Sequence, residues 1–190
     1  MPNYPLKISL CGFGGQGIIL AAVILGTTAV TKGGLYAVQT QSYGSEARGG
    51  QCQAELIIDK RRISSPVSEK TDILVALFQT SYEKYIDTLE DDGILIVDPQ
   101  LVTEVFRSIR NTFKVPATQI AVDLGNRMAA NMVILGFISE CLGLIKQSDL
   151  IEVVKNSVPT RFIDLNIRAV ESGAAYARDN QLYYFAGEKI

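Results

Sequence analysis

Short apolar runs alternate along this chain with longer stretches of helical character. Runs of strand length lie near residues 6–11, 35–40, 73–78 and 94–97, and predicted helices separate most of them. Continuous apolar runs of this length are typical of buried strands, and their alternation with helices is typical of parallel sheets with right-handed crossovers. The pattern therefore predicts an α/β fold, in which a three-layer, mostly parallel sheet is flanked by helices.

A different pattern predicts a β-hairpin insert in this sheet. Residues 51–58 alternate loosely between polar and apolar side chains, residues 59–62 form a charged turn, and residues 63–67 are predicted to return alongside. The other predicted elements are helices at 16–32, 79–89, 128–145, 148–157 and 162–178, a turn at 91–93, a short strand at 114–117 and an edge strand at 181–186. Since no repeat or linker interrupts the chain, residues 1–190 are predicted to form a single domain.

Two of the predicted helices have almost no polar face. Residues 16–32 and residues 128–145 carry apolar side chains around the whole helix. A helix that is apolar all round is buried on more than one side. The sheet covers one side, so the other is expected to meet a further helix or another chain. Asn131, inside the second helix, is expected to need hydrogen-bond partners and to have a structural role.

A glycine-rich loop joins the first strand to the first helix. Gly12, Gly14 and Gly17, with Gly15 and Gln16 between them, form a G-x-G-x-x-G pattern in a Rossmann-like opening βαβ unit. These glycines allow a sharp turn that exposes backbone N–H groups at a helix N-terminus, where anions bind. Two interpretations remain open: the loop contacts a phosphate, or it packs closely against the backbone of the chain or of a partner.

The end of the second strand disfavours the use of NAD. A dinucleotide-binding unit places an acidic residue there to bind the ribose hydroxyl. This chain has Gln39, Thr40 and Gln41 at that position, with neither a carboxylate nor an arginine.

The loop that follows combines flexible and charged residues. It is predicted to be either a solvated turn or a docking loop, because glycine permits close approach and arginine binds carboxylates and phosphates through two parallel hydrogen bonds. Its candidate docking residues are Tyr43, Gly44, Glu46, Arg48, Gly49 and Gly50.

Composition excludes several other functions. The net charge is −2 and no basic block stands out, so nucleic acid is not expected as a partner. Cys11, Cys52 and Cys141 are isolated in the sequence, which predicts buried thiols in a reducing cytoplasm and no metal or cluster site in this chain. Histidine, the commonest general base, is absent altogether. Any chemistry would have to rest on carboxylates, lysine, tyrosine or a borrowed cofactor, and no catalytic residue is assigned.

We expect neither a signal peptide nor a membrane span. The N-terminal residues lack the charged and apolar regions of a signal. The longest uncharged stretch, 17–31, has 15 residues, fewer than the roughly 20 that a spanning helix needs.

The glycine-rich loop and the candidate docking loop together resemble the gamma subunit of the 2-oxoacid:ferredoxin oxidoreductases. The resemblance rests on two sequence motifs, Gly-Phe-Gly-Gly-Gln-Gly at 12–17 and Tyr-Gly-Ser-Glu-Ala-Arg-Gly-Gly at 43–50. It extends over residues 6–178. Leu124-Gly125-Asn126 and the segment 131–136 resemble the family as well. The motif at 43–50 is most similar to the corresponding motif of 2-oxoglutarate enzymes, but it has Ser45 where the family usually has proline.

The resemblance implies a supporting part in a multi-subunit enzyme. Such a complex converts a 2-oxoacid and coenzyme A to an acyl-CoA (succinyl-CoA for 2-oxoglutarate) and carbon dioxide, and passes electrons to ferredoxin or flavodoxin. It also implies alpha, beta and delta partner subunits that hold thiamine diphosphate and the iron–sulfur clusters, and a gamma chain that shapes the approach of coenzyme A. Self-association of the isolated chain is also expected. The alternative from the residues is a stand-alone nucleotide- or anion-binding α/β oxidoreductase module.

Overall fold

The computed structural model describes residues 4–43, 50–66 and 68–184. Within them, six strands and six α-helices follow one another in the order β1 Leu6–Phe13, α1 Ile18–Thr31, β2 Tyr36–Tyr43, β3 Gln51–Asp59, β4 Thr71–Ala76, α2 Gln79–Tyr85, β5 Leu89–Val97, β6 Asn111–Lys114, α3 Ala117–Asp123, α4 Ala130–Cys141, α5 Gln147–Ser157 and α6 Ile163–Asp179. Short 3₁₀ turns precede β5, α4 and α6.

All six strands belong to one sheet in the order β2-β3-β1-β4-β5-β6. Strands β1, β4, β5 and β6 are parallel, and β3 is antiparallel to both β1 and β2. One apolar cluster joins α1 and α3–α6 to one face of the sheet, and a smaller cluster around Tyr82 of α2 lies on the other face. The predicted three-layer, mostly parallel α/β architecture is confirmed.

The hairpin predicted at residues 51–67 does not form, because only its first strand, β3, is present among the described residues. Residues 63–66 form no strand, and β3 pairs instead with β2 on one side and β1 on the other. Both edges of β3 are thus filled, and Pro66 lacks the N–H that a further ladder would need. The strand after α1 therefore lies next to β3 and not next to β1, so the opening βαβ unit spans an inserted strand. Val67, the last predicted residue of that strand, is outside the described residues.

Three smaller boundaries also differ from the prediction. The acidic turn at 91–93 lies inside β5, where the ladder to β4 shifts register between Thr71 and Ile73. The strand predicted at 114–117 is β6, three residues earlier. Residues 181–184 form no strand, and residues 185–186 of that predicted edge strand are outside the described residues.

The two apolar helices are covered to different extents. Nearly all of α4 is buried, because it contacts α1, α3, α5 and α6 of the same chain and its Phe137 packs on Phe113 of β6. Of the two expected possibilities for α4, a further helix or another chain, the structure has a further helix of the same chain. Helix α1 packs on the sheet, α4 and α5, yet Leu20, Val23 and Val30 remain exposed. Only α1 therefore keeps an apolar side without cover among the described residues.

Helices α4 and α6 approach each other at backbone distance. A methyl group at Gly136 of α4 would overlap the carbonyl oxygen of Val170, and one at Gly173 of α6 would overlap the carbonyl oxygen of Val133. Gly136 and Gly173 thus fix how closely α6 covers α4.

Gly136→Ala is expected to destabilise the fold by about 3 kcal/mol or more, because the new methyl group meets rigid backbone on the facing helix. At an exposed position inside a helix, replacing glycine by alanine instead stabilises the protein by roughly 1 kcal/mol. Chemical denaturation of the purified chain measures the difference, with Glu171→Ala on the exposed side of α6 as the control. A stable Gly136→Ala protein would contradict the close α4–α6 contact.

Candidate functional site

The glycine-rich loop lies at the edge of the sheet where the parallel strands end. It leaves β1 at Phe13 and enters α1 at Ile18. Gly15 and Gly17 have φ angles of 96° and 71°, which non-glycine residues rarely adopt. The predicted strand–turn–helix unit is therefore present, at the edge where α/β proteins bind ligands.

The side chain of Gln16 bridges the ends of two strands. Its Oε1 accepts a hydrogen bond from the Phe13 N–H at 2.6 Å, and its Nε2 donates to the Leu77 carbonyl at 2.8 Å. A methyl group at Gly12 would overlap this same Gln16 oxygen and contact Ile18. The space above Gly12 is thus filled by the protein's own side chain.

Asn131 holds the other end of the loop. It is 4% exposed, its Nδ2 donates to the Gly17 carbonyl at 3.1 Å, and its Oδ1 accepts from the Met132 N–H at 2.9 Å. A methyl group at Gly17 would overlap Asn131. The glycine therefore permits α4 to pack against the start of α1, and Asn131 has the structural hydrogen bonds that its burial requires.

A backbone hydrogen bond joins the two sequence motifs. The Gly14 N–H donates to the Gly50 carbonyl at 3.0 Å. Tyr43, at the end of β2, is exposed. Of the candidate docking residues, Gly44, Glu46, Arg48 and Gly49 are outside the described residues, as is Ser45. The described part of the second motif thus lies beside the glycine-rich loop.

Apolar side chains with exposed or partly exposed surface lie on the segments that adjoin the loop. Phe13 is 38% exposed and packs at 5.1 Å, centroid to centroid, on the ring of Phe78. Met128 is exposed one turn before Asn131. We call the group Phe13, Tyr43, Phe78 and Met128, with the loop 13–17, the carboxyl-edge surface. Sequence reasoning missed Phe78 and Met128, because an apolar run does not reveal which of its members reaches the protein surface.

The end of β2 has the polar character predicted for it. Thr40 donates to Glu55 Oε2 at 3.2 Å, and Gln53 donates to the Ser9 hydroxyl at 3.0 Å. Glu55 lies on β3, within the sheet, and was not expected beside the second strand. These bonds cross-link three strands through their side chains and do not converge on the carboxyl-edge surface.

The three cysteines do not form a ligand set. All are buried and unpaired, and Cys11 and Cys52 belong to apolar clusters on opposite faces of the sheet. Burial raises the pKa of the Cys141 thiol to about 12 and also raises the pKa values of Cys11 and Cys52. Because Cys11 and Cys52 face opposite sides of the sheet, the three thiols do not converge on one point and do not fit an iron–sulfur cluster, which is held by several cysteines together.

The described residues contain neither a metal-binding group of side chains nor a helix that could span a membrane. In residues 4–43, 50–66 and 68–184, no three His, Cys, Asp or Glu side chains are grouped so that they could hold a metal ion. No helix in that part of the chain is long and apolar enough to cross a membrane.

Comparison with known proteins identifies the family. The family model for pyruvate ferredoxin/flavodoxin oxidoreductase matches residues 7–176. The chain is 42% identical to the 2-oxoglutarate synthase subunit KorC of Methanothermobacter marburgensis, over 92% of this chain and 98% of that subunit. The chain therefore belongs to the pyruvate ferredoxin/flavodoxin oxidoreductase family, and the predicted resemblance is confirmed.

Solved structures agree with this assignment. The gamma subunit of a keto/oxoacid ferredoxin oxidoreductase from Geobacter sulfurreducens has 35% identity and a TM-score of 0.81, over 92% of this chain and 99% of that one. The same fold occurs in the 2-oxoglutarate:ferredoxin oxidoreductase from Magnetococcus marinus, with 23% identity and a TM-score of 0.81. The match covers 92% of this chain but only 31% of that longer chain. That structure has 2-oxoglutarate, coenzyme A and succinyl-CoA bound.

Gln16→Met is expected to destabilise the chain by about 1–2 kcal/mol, because it keeps the side-chain length but leaves the Phe13 N–H and the Leu77 carbonyl without this partner. Denaturation of the purified chain measures the loss, and Gln41→Met on the exposed end of β2 is the matched control. Equal stability of the two variants would contradict the bridging role of Gln16.

Proposed function

We propose that this chain is the gamma-type subunit of a multi-subunit 2-oxoglutarate oxidoreductase. The complex converts 2-oxoglutarate and coenzyme A to succinyl-CoA and carbon dioxide, and two electrons pass to ferredoxin or flavodoxin. The near-complete alignment with a subunit of 2-oxoglutarate synthase supports this substrate over other 2-oxoacids. The form of the second motif at 43–50 supports it independently.

In this proposal the chain docks through its carboxyl-edge surface onto the subunits that hold thiamine diphosphate. The observation that carries the proposal is the hydrogen bond from Gly14 to Gly50, which joins the two motifs. Aromatic side chains with exposed faces, such as Phe13 and Tyr43, are typical anchors of protein interfaces. The candidate docking residues Glu46 and Arg48 follow Tyr43 directly in the sequence.

The surface is preorganised, which suits it to docking. Gln16 and Asn131 fix the glycine-rich loop through side-chain hydrogen bonds from within the chain. A rigid surface loses little conformational entropy when it binds. The thiamine diphosphate and iron–sulfur clusters are assigned to the alpha, beta and delta partners. The carboxyl-edge surface contributes to the side from which coenzyme A approaches.

Phe13→Asp is expected to weaken assembly at least about tenfold, because a carboxylate replaces an aromatic anchor at a desolvated contact. The matched control is Tyr183→Asp, whose ring is 41% exposed against 38% for Phe13. Tyr183 precedes Tyr184, whose backbone N–H donates to the Cys141 carbonyl at the far end of α4, about 15 Å along the helix from Asn131.

Titration of each variant into the remaining subunits, followed by native mass spectrometry, measures assembly. Thermal unfolding of the variant chains alone shows whether each still folds. Equal affinity of the Phe13 and Tyr183 variants would argue against docking through this surface. A raised melting temperature of the wild-type chain in phosphate or coenzyme A would favour a ligand at the glycine-rich loop instead.

Arg48→Ala is expected to weaken assembly or turnover while leaving the isolated chain folded, since arginine at an interface forms two parallel hydrogen bonds to a carboxylate or phosphate. Arg61→Ala, in the exposed turn after β3, is the control. An intact, fully active complex containing the Arg48 variant would rule out this contribution.

The substrate assignment has its own test. The assembled wild-type complex is expected to have its highest kcat/KM with 2-oxoglutarate, compared with pyruvate and branched 2-oxoacids. A preference for another 2-oxoacid would overturn the assignment of the substrate but not that of the docking surface.

A further inference from the structure

The uncovered side of α1 carries a regular apolar stripe. Leu20, Val23, Thr27 and Val30 follow one another at intervals of three, four and three residues, and all four are exposed. This spacing places them on one side of a helix and is the spacing of helix–helix seams. No residue of α1 is charged.

The neighbouring edge of the sheet is equally free of charge. Strand β2 is the last strand of the sheet and pairs with β3 over eight consecutive residues without a register shift. Its sequence, Tyr-Ala-Val-Gln-Thr-Gln-Ser-Tyr, contains no charged residue and no proline. Edge strands are normally protected from pairing by lysine, proline, bulges or a covering element. We call the stripe and β2 together the charge-free flank.

Helix α1 lies directly over this edge. Gly26 approaches Leu56 of β3 and Ala37 of β2, and α1 contacts both strands in nearly equal measure. On its other side α1 contacts α4 and α5. The stripe therefore faces outward, over the open edge of β2.

We propose that the charge-free flank pairs with the same flank of a second copy of this chain, so that the two β2 strands join antiparallel and the two α1 stripes pack together. The charge-free flank shares only Tyr43 with the carboxyl-edge surface, and the α1 stripe that Val23 tests lies outside that surface. A partner must present an open strand and, one layer above it, an uncharged helix at the same offset. A second copy related by a two-fold axis has this arrangement by symmetry.

The spacing of the two layers fits this pairing. Paired strands lie about 4.8 Å apart, so a two-fold axis between two paired β2 strands would pass about 2.4 Å from each of them. The line midway between β2 and β3 of one copy would then lie about 4.8 Å from the axis. The two α1 helices, centred over these midpoints, would then be about 10 Å apart, which is the distance of packed helices.

Electrostatics also allows the pairing. The chain has a net charge of −2, but the flank contributes none of it. Lys32, the charge that follows α1, forms an ion pair with Glu152 at 2.6 Å. As far as the described residues go, the flank itself therefore brings no like charges together.

Sedimentation of the full-length chain over a wide concentration range tests the proposal. The wild type is expected to form dimers, and Val23→Lys is expected to weaken dimerisation at least about tenfold, since it places two lysines at one seam. Val122→Lys is the matched control, because Val122 is 50% exposed, against 44% for Val23, and lies on α3, which contacts α4 and α6. Thermal unfolding shows that each variant folds.

Hydrogen exchange separates strand pairing from other modes of association. Amides of β2 are expected to exchange more slowly as the wild-type concentration rises and to lose this dependence in Val23→Lys. A chain that is monomeric at every concentration would overturn the proposal. So would a dimer that survives Val23→Lys, or protection of β2 that appears only when other subunits are added.

Discussion

The position of α4 is the constraint on which the rest of this structure depends. At its first turn Asn131 binds the Gly17 carbonyl, and at its middle Gly136 lies against the backbone of α6. One helix therefore connects the glycine-rich loop to the outermost helix of the fold. Because protein interiors are close-packed, a shift of α4 would be felt at both contacts. The carboxyl-edge surface is thus held by packing that begins in the core.

The same packing changes the meaning of the glycine-rich loop. In a dinucleotide-binding unit, glycines leave room for a phosphate above the loop and for the helix that follows. Here the room above Gly12 is taken by Gln16, and the room beside Gly17 by Asn131. Gly12 and Gly17 therefore serve contacts within the chain, whereas the space beside Gly15 is open. A loop fixed in this way presents a surface of constant shape, which suits a subunit that must fit against larger partners.

Sequence reasoning was most successful where local chemistry decides the outcome. The strand–turn–helix unit follows from residues close to one another in the sequence. The alternation of apolar runs with helices predicted the parallel strands, and the polarity of Asn131 in an apolar helix predicted its need for hydrogen-bond partners without naming Gly17. Sequence reasoning failed at long-range pairing, because nothing in residues 51–67 specifies that both edges of β3 are filled by β1 and β2. Glu55 beside Thr40 was missed for the same reason, since cross-strand neighbours depend on register.

The two apolar helices illustrate the limit most clearly, because the same sequence signal has two outcomes. Gly136 and Gly173 let α6 cover α4 at backbone distance, and small residues such as Ala169 and Ala177 line the buried side of α6. No described helix covers the far side of α1, so its valines and Leu20 stay exposed. Apolar periodicity shows that a face must be buried, but the shape of the facing surface determines which chain buries it. An exposed stripe on an otherwise well-packed domain is therefore best explained by a second chain.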